Sequence, residues 1–302
     1  MKSIKIYALA LGLLAVFAGC QNDVVKPLEN DKEAPAPVRD VTYTKMSGSV
    51  LLTYTLPSDP DLLYVAASYT NKAGKKYEFK ASYFTNTLLV EGFGDTDTYS
   101  LDVYAVDRSE NYSEPVNIQV AADTPPVQAA YETLEVQPDF GGMTFSFDNA
   151  SKADLTVYVS TPNADNEMVN AETFYTGLAK ATFSVRGFLD VPRDFEICFE
   201  DKWGNRSPVK KENLTPIYEA ELDKKKFKEV ILPGDFPCTF YESKMEYIWD
   251  GRAAADGDGQ TGAHTGIEEH DGPTWFTFDL GVLAKLSRFN LKFVQDDKHF
   301  YN

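Results

Sequence analysis

The chain has 302 residues, 43% of them hydrophobic and 13% aromatic, which is material for two or three folded domains rather than one small core. Its 46 acidic side chains outnumber 29 basic ones and leave a net charge of −17. Such a surface excludes a nucleic-acid partner and electrostatic adhesion to anionic lipid, because both require a basic face.

The first twenty residues form a targeting segment. Lys2 and Lys5 make a positive start, and Ile6 to Phe17 is an apolar run too short for a bilayer span. It ends in "FAGC", which resembles a bacterial lipobox. That resemblance implies that residues 1–19 are a signal peptide, cut off before Cys20, and that the Cys20 thiol carries diacylglycerol. Each buried CH₂ of the acyl chains contributes about 0.8 kcal/mol, and with more than one chain the anchor is stable. Residues 20–37 are polar and end in "NDKEAPAP", so they read as a flexible tether. The other two cysteines, Cys198 and Cys238, fall in different predicted domains, and their spacing supplies no disulfide framework.

From Val38 the hydrophobic pattern has period two. Val50, Leu52, Tyr54 and Leu56 alternate with more polar positions, "PSDPD" breaks the strand, and Leu62, Tyr64 and Ala66 begin another. The pattern then repeats. Met143, Phe145 and Phe147 match Val50, Leu52 and Tyr54, while Leu155, Val157 and Val159 match Leu62, Tyr64 and Ala66. "VEGFGD" at Val90 returns as "VRGFLD" at Val185, and "YSLDVYAVDRSENYSEPV" at Tyr99 returns as "RDFEICFEDKWGNRSPV" at Arg193. Short strands separated by turn signals, in a unit of roughly a hundred residues, predict a β-sandwich. The duplication therefore predicts two tandem sandwiches, at 38–123 and 126–214. Each copy ends in a strand, then Asp-x-x-x-Asn-x-Ser. Asp and Asn suit a hairpin there, since their side chains bond the local backbone and tolerate positive φ. Tyr99 stands at the place of a tyrosine corner, with Arg193 as its counterpart.

"APAPVRDVTYTKMSGSVLLTYTLPSDPDL" together with "YSLDVYAVDRSENYSEP" resembles a fibronectin type III domain, with Tyr54 at the position where that family carries tryptophan. Two such domains behind a lipobox are similar to a family of Bacteroidetes lipoproteins encoded with glycan-uptake systems. The third segment fits the likeness. "IWDG" at Ile248 and "PTWFTFDLGVLAKLSRFNLKF" at Pro273 resemble a discoidin-like (coagulation factor 5/8 type C) sandwich, with Phe276, Phe278 and Leu280, then Phe289, Leu291 and Phe293, as inward faces. A discoidin domain takes roughly 130–150 residues, within the ordinary domain range. Residues 219–302 number 84, so a partial, truncated discoidin-like domain is expected. The fold class is all-β throughout.

The resemblance implies an outer-membrane, lipid-anchored protein facing the cell surface or the periplasm. It would bind a glycan without catalysis, beside partner proteins of a glycan-uptake complex. A structural or adhesive envelope protein that binds another protein is the alternative. Loops of discoidin-like domains hold the ligand, and calcium often braces them. Here the loop is "RAAADGDGQTGAHTGIEEHDG". Asp250, Asp256 and Asp258 offer the oxygen ligands that calcium takes on a bent backbone. Trp203, His264, Glu268 and His270 are the candidate sugar contacts. His264, Glu268 and His270 do not have the His-Glu-x-x-His spacing of a zinc site. Trp203 occupies the predicted hairpin tip, where it can pack against the third segment or offer its ring to a ligand. Trp249 and Trp275 read as core. No nucleophile-elbow, phosphate-loop or dinucleotide motif occurs, so no enzymatic role is expected.

Overall fold

The computed structural model describes residues 30–239, 243–251 and 273–290, and nearly all of its regular structure is antiparallel strand. The expected all-β class is what the chain adopts. In the first copy β1 (Arg39–Met46), β2 (Ser49–Thr55) and β5 (Thr87–Glu91) form one sheet in the order β1-β2-β5. The other has the order β4-β3-β6-β7, from β3 (Leu62–Thr70), β4 (Lys76–Ser82), β6 (Thr98–Asp107) and β7 (Val116–Ala121). Period-two burial explains the packing. Val50, Leu52 and Tyr54 of β2 meet Tyr99, Leu101, Val103 and Ala105 of β6 in one buried cluster. Burial of each Val or Leu among them contributes about 1.5–3 kcal/mol. The Tyr54 hydroxyl donates to the Thr87 carbonyl at 3.3 Å, and burial pushes its pKa up to about 12. The Tyr99 hydroxyl reaches back to the preceding loop, as expected, but its acceptor is a side chain, Asp95 Oδ1, at 3.0 Å.

One alternation departs from the sequence reading. Tyr64 and Ala66 were matched to Val157 and Val159, yet the inward residues of β3 are Leu62, Val65, Ala67 and Tyr69. Pairing of β3 with β6 shifts between Leu62 and Tyr64. A bulge inserts one residue there, and a one-residue slip moves every later side chain to the other face. The equivalent pairing in the second copy has no such shift: Leu155, Val157 and Val159 pair with Asp201, Phe199 and Ile197 in unbroken register.

That second copy repeats the strand orders. β8 (Glu135–Asp139), β9 (Gly142–Asp148) and β12 (Lys180–Arg186) form the sheet β12-β9-β8. β10 (Leu155–Pro162), β11 (Met168–Thr176), β13 (Arg193–Asp201) and β14 (Lys210–Leu214) form β11-β10-β13-β14. Phe147 of β9 meets Phe199 of β13 edge-on at 4.7 Å, and Phe174 of β11 stacks on Phe183 of β12 at 4.5 Å. The turn between the first two strands repeats as well. Phe93 N–H donates to the Gly48 carbonyl, as Phe188 N–H does to Gly141, and both glycines hold positive φ. A short helix, α1 (Pro126–Glu132), opens the second copy with proline at its first turn, where the missing N–H is no loss.

Contacts divide the chain into two compact units. One holds the first sandwich, α1, the last residues of β9 and the first of β12, and most of the sheet β11-β10-β13-β14. The other holds most of β8, the remainder of β9 and β12, and the C-terminal segment. In that segment β15 (Lys228–Val230) pairs with β16 (Thr277–Asp279). Trp275, read as core, is 55% exposed, and Phe289 is 66% exposed. Among the described residues, the two three-residue strands form no opposing sheet over them.

Candidate functional site

The repeated hairpins come first, because Trp203 lies on one. In each copy the aspartate accepts the asparagine N–H through Oδ1: Asn111 to Asp107 at 2.8 Å, Asn205 to Asp201 at 2.9 Å. Each asparagine amide then donates to the other carboxylate oxygen at 2.9 Å. The serine completes the motif. Ser113 Oγ accepts the buried Ala105 N–H and Ser207 Oγ accepts the Phe199 N–H, both at 3.0 Å. These hydroxyls satisfy strand amides where the ladder ends.

Trp203 does not stand free at the tip. Its ring packs edge-on against Tyr77 and Phe79 of β4, each at 5.5 Å, and so joins the core of the first sandwich. Lys202 pairs with Glu91 at 3.2 Å, and the Asn205 amide donates to the Gly92 carbonyl at 3.3 Å. The glycines of "VEGFGD" give these side chains room. A Cβ on Gly94 would lie 2.6 Å from Asn205 Oδ1, and one on Gly92 would lie 3.2 Å from the Trp203 ring.

A cleft of about 620 Å³ opens in the C-terminal segment. Its aromatic wall is Phe227, Trp249 and Phe278; Trp249 lies 5.2 Å from Phe278 and 5.7 Å from Phe227, centroid to centroid. Local sequence places these rings. Asp223 caps the short turn Lys224–Lys226 by accepting the Lys225 N–H, which delivers Phe227, and the turn Met245–Ile248 delivers Trp249. Glu219, Lys285, Ser287 and Arg288 line the polar side. Glu219 accepts from Ser287 Oγ at 2.5 Å and from Arg288 at 2.9 Å, and Arg186 stands 3.5 Å away. Arg186 in turn binds Asp139 at 2.7 Å. Chemically this is an apolar floor with fixed donors and acceptors beside it, the usual composition of a small-ligand site.

The sequence-predicted contacts distribute unevenly. Asp250 is exposed and directly follows Trp249, at the Gly251 turn. Cys20, Asp256, Asp258, His264, Glu268 and His270 lie outside the described residues. Among the described residues, the group of acids close enough to share a cation is a different one. Carboxylate oxygens of Asp31, Asp61 and Asp107 lie within 4.8 Å of one another at the start of the first sandwich. Their oxygens are of the hard type that calcium takes. Asp61 is held above its ordinary carboxylate range, first by its hydrogen bond to Asp59, then by desolvation and the charges of Asp59 and Asp107. Sequence reasoning missed this group because its members are 30 and 46 residues apart and meet only through the fold. It also missed Glu219, Phe227, Lys285 and Arg288. The "W-x-x-x-DLG" likeness pointed to the strand but not to the lysine, serine and arginine that follow it.

Comparison with known proteins gives the following. Residues 35–122 match a family described as a domain of unknown function, DUF4959, and residues 123–225 match a second, DUF5126. No curated protein matches the chain in sequence. Among solved structures, the chain is similar to a SusE-like protein, BT2857, at 28% identity and a TM-score of 0.31, over 52% of this chain and 56% of that one. The chain thus spans little more than half the length of that relative. It is also similar to a two-domain fibronectin type III segment of chicken tenascin (15% identity, TM-score 0.28, 59% of this chain and 99% of that one). A third is the chicken interferon gamma receptor alpha chain (10% identity, TM-score 0.26, 61% and 100%). No described helix is long and apolar enough to cross a membrane.

Proposed function

We propose that this chain is a non-catalytic, carbohydrate-binding lipoprotein of a glycan-uptake system, anchored through Cys20 in the outer membrane and facing the cell surface. The sandwiches at 38–123 and 126–214 act as spacers. They present a discoidin-like segment, 219–302, as the binding end. The observation that carries this reading is the cleft. Phe227, Trp249 and Phe278 offer apolar ring surface to a pyranose, while Glu219, Lys285 and Arg288 lie within reach of its hydroxyls. His264, Glu268 and His270 extend the contacts in this reading, and calcium on Asp250, Asp256 and Asp258 braces their loop. Trp203 contributes to the joint between the spacers, where its ring is engaged.

The test is affinity electrophoresis and glycan-array binding of the purified chain. Retardation by a polysaccharide, weakened at least tenfold in Lys285→Ala and in Trp249→Ala, is the expected result. Binding that neither variant alters would place the glycan elsewhere. Protein capture with no glycan retained would favour the adhesive alternative. The anchor is tested separately by metabolic labelling with a clickable fatty acid: Cys20→Ala should abolish incorporation, and wild-type labelling of that variant would sink the assignment.

A further inference from the structure

The two hairpins share a habit beyond their internal bonds. Each asparagine, already bonded to its own aspartate, also reaches the chain that precedes its sandwich. Asn205 holds the Gly92 carbonyl of the first sandwich at 3.3 Å. Asn111 reaches past Asp107 to Asp31 Oδ1 at 3.1 Å and to the Glu33 carbonyl at 3.2 Å. Ser109, at the position where the second copy has Trp203, accepts the Asp31 N–H at 3.0 Å. Asp31 folds back as well, its Oδ1 accepting the Glu33 N–H at 3.2 Å. Pro35 and Val38 behind it are buried. These residues read in sequence as a flexible tether; in the structure Asp31 and Glu33 make these hydrogen bonds to the hairpin.

We propose that the Asp-x-x-x-Asn hairpin is a clasp for whatever precedes its sandwich, and that it latches residues 31–37 onto the first sandwich. The same motif serves two joints with two different grips. At the spacer joint the grip is an aromatic ring and a backbone carbonyl. At the tether it is a network of side-chain hydrogen bonds around Asp31.

Amide exchange followed by NMR on the full chain decides the point, and it does not depend on acylation or glycan binding. In the wild type the Asp31 and Glu33 amides should be protected. Ser109→Ala removes the acceptor of Asp31 N–H without touching the bonds inside the hairpin, and should raise the Asp31 exchange rate at least tenfold. Asn111→Ala should do the same for both amides. Amides of Leu101 to Val106 should stay protected in both variants, which reports that the sandwich is intact. If Asp31 exchanges at the free rate in the wild type, or keeps its protection in Ser109→Ala, the latch does not exist.

Discussion

The hairpins of the two sandwiches agree where a residue serves its own fold and diverge where it serves a neighbour. Aspartate, asparagine and serine of the hairpin make the same bonds, at nearly the same distances, in both copies. The tip between them does not repeat. Ser109 suits a polar tether segment, whereas Trp203 suits the rings of Tyr77 and Phe79. The receiving ends diverge too. Gly94 of the first sandwich lies against Asn205, and its counterpart in "VRGFLD" is Leu189, which is 76% exposed. A duplicated core has thus kept its internal chemistry, while its ends have been adapted to different neighbours.

The largest expected effect tests the shared interior. Tyr54 and Phe147 occupy equivalent places, so the ring rather than the hydroxyl should carry the stability. Tyr54→Ala should cost about 3–5 kcal/mol as a large-to-small core change. Tyr54→Phe, which imports the side chain of the other copy, should cost only about 1 kcal/mol for the bond to the Thr87 carbonyl. Chemical denaturation separates the two. Comparable losses would mean that the two cores are not equivalent at this position.

The same contrast explains what could be read in advance. Alternation of large apolar residues made the strands, the duplication and the inward faces of β2, β6, β9 and β13 legible, because a half-buried strand has to alternate. The bulge after Leu62 was not legible, since an extra residue in one strand shows only when its partner strand is known. Trp203 was identified as exceptional, but its partners Tyr77 and Phe79 are 126 and 124 residues away. The cleft was legible only in part. Trp249 and Phe278 lie within the discoidin-like motifs, whereas Glu219 and Phe227 lie outside them. Clusters such as Asp31, Asp61 and Asp107 leave no local trace in a sequence with 46 acidic residues.

A smaller effect tests the hairpin serines. Ser113→Ala would strand the buried Ala105 N–H, and Ser207→Ala the Phe199 N–H, each at a cost of about 1–3 kcal/mol. The two losses should agree closely when measured by urea unfolding. A large loss in one copy and none in the other would show that only one of the hairpins depends on its serine.

The joints should respond differently from the interiors. Gly94→Ala places a methyl group 2.6 Å from Asn205 Oδ1, and the side chain must move to admit it. A loss of about 1 kcal/mol is expected, at the low end for overpacking because the obstructing atom ends a side chain. Leu189→Ala, at the matching place in the second copy, should fall within about 0.5 kcal/mol of wild type. Equal effects at the two sites would remove the distinction between an occupied and an open end.

The smallest effect is one of sign, and it belongs to the first copy alone, since Asn205 meets a carbonyl where Asn111 meets Asp31. The Asp61 carboxyl is raised above its ordinary 3.8, chiefly by its bond to Asp59 and with the charges of Asp59 and Asp107 adding to it. A raised carboxylate means that the folded state binds the proton more tightly than the unfolded one. Its contribution is therefore fully present below pH 3.8 and is lost as pH rises through the raised value. Asp61→Asn cannot ionise and so escapes that loss, and its backbone carbonyl still accepts the Arg108 N–H at 3.0 Å. In a chelating buffer, thermal melts should show the variant gaining on the wild type between pH 3 and pH 7, with little difference at the acid end. A variant less stable at pH 7 than at pH 3, relative to wild type, would mean that the fold depends on the ionised Asp61.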